Sequence, residues 1–319
     1  MSFSRQSKIE ILKESIEDDT SMLAFLSGLF HSCGEIGKNG SVYFVSIVSD
    51  IQELFSYVKN IVNKLYGENI EEKITNIPLN KNTFYEMRFD VEHFQQLLLD
   101  VGVIDFSDGI SFNFEVNKNL LLEDDARRAF VKGVYIGSST SSIKFSEGAH
   151  KTESTGYHLE FVSKNHEFLL EFSSILATYN IIGKIFERKS DFVFYLKEVN
   201  AIIDLLALVG ANQSVLELNN ELATRELRNK VNRQVNCINA NINKTVEASL
   251  RQVEAINVIN STIGIESLPE DLQEVAVLRL ANQEESLDEL IKLSTIKLTR
   301  SGLNHRFRKL LKIAKELEE

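Results

Sequence analysis

The stretch "LSGLFHSCG", Leu26 to Gly34, returns in altered form as "VKGVYIGSS", Val131 to Ser139, 105 residues further along. Leu26, Leu29 and Phe30 have the spacing of a buried helical stripe. Gly28 nevertheless sits inside that stripe, where glycine costs a helix roughly 1 kcal/mol relative to alanine. Small residues in a buried helix let a second backbone come close, because the side chains at the contact set the interaxial distance. Gly28 and Gly133 are therefore expected to face each other where two helices cross about a pseudo-two-fold axis.

The flanking sequence repeats as well. A helix around Met22–Cys33 precedes the alternating run "GSVYFVSIVS", which has the period of a half-buried strand. The segment "DIQELFSYVKNIVNKLYG" follows, with Asp50 as its expected N-cap and Ile51, Leu54, Phe55, Val58, Ile61, Val62 and Leu65 as an apolar stripe. Two strand segments, "NIEEKITNI" and "TFYEMRFD", are joined by a turn around Pro78–Asn82, and the helix "EHFQQLLLDVG" closes the unit. The second pass has helix Asp124–Gly137, strand "YHLEFVS", helix "NHEFLLEFSSILATYN", strands "IIGKIFER" and "DFVFYLK", and helix "NAIIDLLALVG". "GSSTSS" (137–142) reads as a loop or the start of a hairpin. The expected fold is α+β: two pseudo-symmetric αββαββα half-domains, residues 1–120 and 121–220, ahead of an all-α domain at 221–319.

Charge divides the chain along the same line. Residues 1–224 hold 20 Lys+Arg against 32 Asp+Glu, and residues 225–319 hold 15 against 14. Lys297 to Lys315 contains seven basic residues and no acid, and Arg225 to Arg251 contains six against two. An acidic body with basic clusters in the tail assigns any nucleic-acid contact to the tail. No apolar run approaches the ~18 residues of a membrane span. Two cysteines, Cys33 and Cys237, allow at most one disulfide and fit a reducing cytoplasm. No phosphate-binding glycine loop, nucleophile elbow or zinc spacing is present, so no cofactor and no metal are expected.

In the tail, Ser267 with Glu270 and Ser286 with Glu289 have capping-box spacing. Thr299 is the expected N-cap of the last helix, "RSGLNHRFRKLLKIAKELEE". Helix, short helix, turn and basic helix is the order of a helix-turn-helix. With Leu303, Phe307, Leu310 and Ala314 facing the core, Ser301, Asn304, His305 and Arg308 point outward near the helix start, where base edges are read. Asn and Arg suit bidentate contacts to adenine and guanine. Arg300, Arg306, Lys309 and Lys312 are placed for phosphates. In the preceding segment, Leu227, Val231, Val235, Ile238, Ile242 and Val246 recur every three to four residues, and this face is expected to be buried. Arg228, Arg233 and Lys244, among many Asn, are expected phosphate contacts.

The paired motifs resemble degenerate LAGLIDADG helices of homing endonucleases. In that family an acid near the end of each helix holds a divalent metal; here Cys33 stands before Gly34, and Ser138 and Ser139 fill the matching positions of the second copy. Neither thiol nor hydroxyl is a hard anionic ligand. "RNKVNRQVNCINANINKT", "SLPEDLQEVAVLRL", "SLDEL" and "SGLNHRFRKL" resemble successive blocks of the WhiA family, and "GYHLEFV" and "LLALVGA" fit it in the middle. That resemblance implies a DNA-binding transcription regulator, linked to cell division and chromosome segregation and in some relatives to sporulation. It would act on double-stranded DNA in the cytoplasm at the nucleoid. Its catalytically inactive body would serve as a platform for RNA polymerase or another regulator. An active nuclease, using Glu35, and a division adaptor whose tail binds protein are the competing readings.

Overall fold

A computed structural model describes all residues except 1, 69–74, 80–81, 108, 144, 146–155, 296 and 319, with residues 75–79 and 82–83 described by backbone alone. It contains two compact units, Met1–Ala223 and Thr224–Glu319, each with its own apolar core.

In the first unit, α1 (Phe3–Ile11) precedes two αββαββα passes. The first comprises α2 (Asp19–Cys33), β1 (Gly34–Asn39), β2 (Val42–Ser49), α3 (Gln52–Tyr66), β3 (Thr75–Leu79), β4 (Asn82–Asp90) and α4 (Gln95–Asp100). A two-stranded hairpin, β5 (Ile104–Asp105) with β6 (Ser111–Phe112), links it to the second. That pass comprises α5 (Asp124–Ser138), β7 (Ser139–Ser142), β8 (His158–Ser163), α6 (His166–Ala177), β9 (Lys184–Arg188), β10 (Asp191–Leu196) and α7 (Val199–Leu208). Each pass makes one antiparallel four-stranded sheet, β1-β2-β4-β3 and β7-β8-β10-β9. The correspondence of strand order is the duplication seen in the sequence.

The two crossing helices hold the unit together. Ala24, Phe25, Leu26, Leu29 and Phe30 of α2 and Phe130, Val131, Val134 and Tyr135 of α5 are fully buried. A methyl group on Gly28 would overlap the Phe130 carbonyl, and one on Gly133 would overlap the Phe25 carbonyl and crowd the Leu29 amide. Each glycine faces the backbone of the opposite helix, which cannot rotate away. Above and below, the sheets bury alternate residues against helices: Val45, Ile47, Met87 and Phe89 in the first, Leu159, Phe161, Phe194 and Leu196 in the second.

Three local expectations change. Ile51, not Asp50, is the N-cap of α3, and the Asp50 carboxylate instead accepts from Arg5 of α1 at 2.7 Å. Ser139–Ser142 of the "GSSTSS" run form strand β7, because Ser139 to Ser142 pair with Phe161 to His158 on β8. The tip of the turn expected around Pro78–Asn82 lies outside the described residues.

From the first unit into the second runs α8 (Asn212–Thr262), 51 residues long. Its N-terminus is capped by the Glu10 carboxylate of α1, which accepts from the Ser214 amide at 3.1 Å and hydroxyl at 2.8 Å and from the Gln213 amide. An acid at this end also meets the positive end of the helix dipole. The expectation of a buried face on the middle of this helix is overturned. Residues 229–247 are all exposed, including Val231, Val235, Ile238, Ile242 and Val246 at 47–57%. The face becomes buried only from Ser249, through Gln252, Ala255, Ile256 and Ile259. These pack with α9 (Glu270–Ala281), α10 (Leu287–Leu293) and α11 (Arg300–Glu318).

Candidate nucleic-acid interface

Two regions could touch nucleic acid: the outer faces of the sheets, and the basic helix α11. In the first unit, the C-terminal ends of α2 and α5 deliver the chain directly into β1 and β7. Cys33 is half-buried, its Sγ donates to the Leu29 carbonyl at 3.3 Å, and burial pushes the thiol up to about 12. Ser138 Oγ donates to the Val134 carbonyl at 3.2 Å. Lys8 of α1 lies close enough to feel Cys33 and Asp50, and burial draws its ammonium down to about 8. A cleft of about 490 Å³ opens beside this point, lined among others by His31, Cys33, Glu35, Lys164 and Asp191. Glu35 is committed to an ion pair with Lys164 at 2.7 Å. Among the described residues no three His, Cys, Asp or Glu side chains gather as a metal site would require.

On the outer sheet faces both arginines are held in pairs, while Lys184 of β9 stands exposed without an acid among the described residues. Arg88 meets Glu86 at 2.8 Å on β4, while Arg188 of β9 forks onto both oxygens of Glu160 of β8 at 3.1 Å, with His158 on the same carboxylate at 3.1 Å. Each guanidinium that could meet a phosphate here already holds a carboxylate. Cysteine chemistry offers a direct check on the burial at the helix end. In the native protein a thiol reagent should react quickly with the exposed Cys237 and far more slowly with the half-buried, little-ionised Cys33. Two equally fast thiols would mean that the α2 end is open.

The second unit is built around α11. Thr299 Oγ1 accepts from the Gly302 amide at 3.1 Å and so caps its first turn. Leu303, Phe307, Leu310 and Ala314 are buried, as their spacing requires. Ser286 caps α10 by accepting from the Glu289 amide at 3.2 Å. The other expected capping box does not form: Pro269 is the N-cap of α9, and Ser267 Oγ donates to the Gly264 carbonyl at 2.7 Å. Proline tolerates this place because a helix start needs no donor from it.

The outward residues of α11 fall into two groups. Ser301, His305, Arg308, Lys309 and Lys312 are exposed, and Asn304 is half-buried beside them. Arg308 and Lys309 form no ion pair with any described residue, and Lys312 reaches only Glu316, one turn on, at 3.6 Å. Arg300 and Arg306, expected at phosphates, are instead held by Asp288 of α10 at 2.9 Å and Asp271 of α9 at 3.3 Å. On α8, Arg233 and Lys244 are exposed and Arg228 is half-exposed.

Sequence reasoning missed the residue that fixes the turn between α9 and α10. Arg279 is 2% exposed; its Nη1 donates to the carbonyls of Glu285 at 2.7 Å and Asn282 at 3.3 Å, and its guanidinium lies 5.2 Å from the Phe307 ring. An arginine flanked by Leu278 and Leu280 in an apolar helix is the available signal. Such a side chain is worth burying only where carbonyls await it.

Comparison with known proteins bears on both units. The WhiA LAGLIDADG-like domain matches residues 22–105 and 128–228, and the WhiA C-terminal HTH domain matches residues 231–314. A probable cell division protein WhiA of Clostridium novyi (strain NT) is 38% identical over 326 residues, which cover 100% of this chain and 99% of that protein. The chain belongs to the WhiA family. Another relative with the same description, from Clostridium botulinum (strain Hall), is 36% identical over 100% of this chain and 99% of its own length. Full-length DUF199/WhiA from Thermatoga maritima shares the fold, with a TM-score of 0.56 and 22% identity over 99% of both chains. As a WhiA family member, the chain joins a LAGLIDADG-like body to a helix-turn-helix. Among the described residues, no helix is long and apolar enough to cross a membrane.

Proposed function

We propose that this chain is a DNA-binding transcription regulator of cell division, not an enzyme. Double-stranded DNA is its partner, and it works at the nucleoid in the cytoplasm. The observation that carries this reading is the outer face of α11, where Arg308 and Lys309 stand exposed without an acid beside Ser301, Asn304 and His305. On the outer sheet faces of the body, Arg88 and Arg188 are already paired. Ser301, Asn304, His305 and Arg308 are assigned to base edges, and Lys309 and Lys312, with Arg228, Arg233 and Lys244 on α8, to phosphates. Arg300 and Arg306, basic residues of the same helix, are held by Asp288 and Asp271 and so also fix α11 against α10 and α9. The body, as half-domains 1–120 and 121–220, is a platform for RNA polymerase or another regulator.

Binding of genomic DNA by the whole chain and by fragments 1–220 and 221–319 tests the proposal. The tail fragment should bind and lose affinity steeply with salt, because each phosphate contact releases counterions. The body fragment should bind little, and DNA should stay intact with Mg²⁺ or Mn²⁺. A body fragment that binds as tightly as the whole chain would overturn the assignment. So would a metal-dependent nick that disappears in Glu35→Gln.

A further inference from the structure

The middle of α8 poses a physical problem that DNA binding does not solve. Leu227, Val231, Val235, Ile238, Ile242, Val246 and Leu250 are 47–64% exposed and form one stripe, about 34 Å long at helical rise. Contiguous apolar surface of this extent marks an interface, and a phosphate backbone is a poor cover for aliphatic side chains. We infer that this stripe pairs antiparallel with the same stripe of a second copy of the chain, crossing just past Ile238.

Three properties of the segment support that occupant. Its spacing nearly reads the same in both directions: with the dyad just past Ile238, between residues 238 and 239, Val235 meets Ile242, Val231 meets Val246, and Leu227 meets Leu250. At 3.6 residues per turn, the residues flanking the stripe then meet across the pair in matching kinds. Asn232 lies beside Asn243 and Gln234 beside Asn241, amides that can donate and accept across the seam. Arg228 lies beside Glu247 at both ends, an attractive encounter, with Arg251 one turn further out on the same flank. Finally, the like charges Arg233 and Lys244 fall on the side of the helix opposite the stripe, so pairing does not bring them together. The density of Asn, which weakens a lone helix, has a purpose at such a seam. Cys237 also lies off the seam and stays reactive.

The inference shares only Arg228 with the DNA reading and is tested without DNA. Light scattering on the purified full chain over a concentration series should give the mass of two chains. The double variant Val235→Glu, Ile242→Glu should give the mass of one, with unchanged helical circular dichroism because both positions are exposed. In a Cys237→Ser background, Ile238→Cys should form a disulfide-linked dimer under mild oxidation. Leu227→Cys in the same background should not, since its two copies lie at opposite ends of the pair. A wild-type chain of single mass would mean that another protein or the chain itself covers the stripe, and would overturn the inference. A dimer that survives the double variant, or one linked through Leu227→Cys, would overturn it equally.

Discussion

Gly133→Leu should abolish the native fold of the first unit, whereas Lys132→Leu, one residue away, should leave it standing. A leucine at 133 would drive its Cβ into the Phe25 carbonyl and the Leu29 amide. Overpacking a core against side chains costs typically about 1–3 kcal/mol, but here the obstacle is helical backbone, and relief requires α2 and α5 to separate. Those two helices carry the center of the core, so separation exposes Phe25, Phe30 and Phe130 together. Against a total stability of about 5–15 kcal/mol for a domain, that is a loss of folding. Lys132 contributes an ion pair with Glu14 at 3.2 Å, and pairs near a surface are worth about 0–1 kcal/mol. Gly28→Leu should behave like Gly133→Leu, because the Phe130 carbonyl stands in the same relation to it. Thermal melts of the three variants decide the matter; equal midpoints for Gly133→Leu and Lys132→Leu would remove the close crossing as the reason for the glycines.

The same glycines show why the body was legible in sequence. A residue unfavourable to helices, kept twice at matching places in apolar stripes, has few uses besides a close approach, and the strand and helix order around it is patterned by burial. The face of α11 was legible for a similar reason: Leu303, Phe307, Leu310 and Ala314 follow one helical period, and burial follows the period. Features set by partners distant in sequence were not legible. Glu10 caps α8 from 204 residues away, and nothing in "KIEILKE" announces a cap. Ser139–Ser142 carry no apolar alternation; they are a strand because β8 offers them an edge. Asp288 and Asp271 claim Arg300 and Arg306 through tertiary contacts that charge counting cannot see. The stripe on α8 shows a different limit. Periodicity says that a face is apolar, but not that the same chain covers it, and residues 229–247 are exposed in the folded chain.

On the proposed DNA-reading helix, Asn304→Ala and Arg308→Ala should each reduce discrimination between a specific site and random DNA. A bidentate base contact is worth roughly 1–3 kcal/mol, about 5- to 150-fold in the ratio of the two affinities. Lys309→Ala and Lys312→Ala should weaken both kinds of binding alike and make affinity less sensitive to salt, since each removes one neutralised phosphate. The distinction rests on position. The buried residues Leu303, Phe307 and Leu310 fix the rotation of α11, which sends 304 and 308 outward along one line near the helix start, while the lysines lie toward its C-terminal half. Arg306→Ala should act differently from all four, because its Nε is held by Asp271; loosening α11 from α9 should lower the melting temperature of the unit as well as affinity. Titrations on both DNAs across a salt series, with melts of each variant, separate these classes. Should Asn304→Ala and Arg308→Ala lose specific and random binding in parallel, with melting unchanged, α11 is not the sequence reader. The exposed Asn-rich face of α8, with Arg233 and Lys244, would then be the surface to examine.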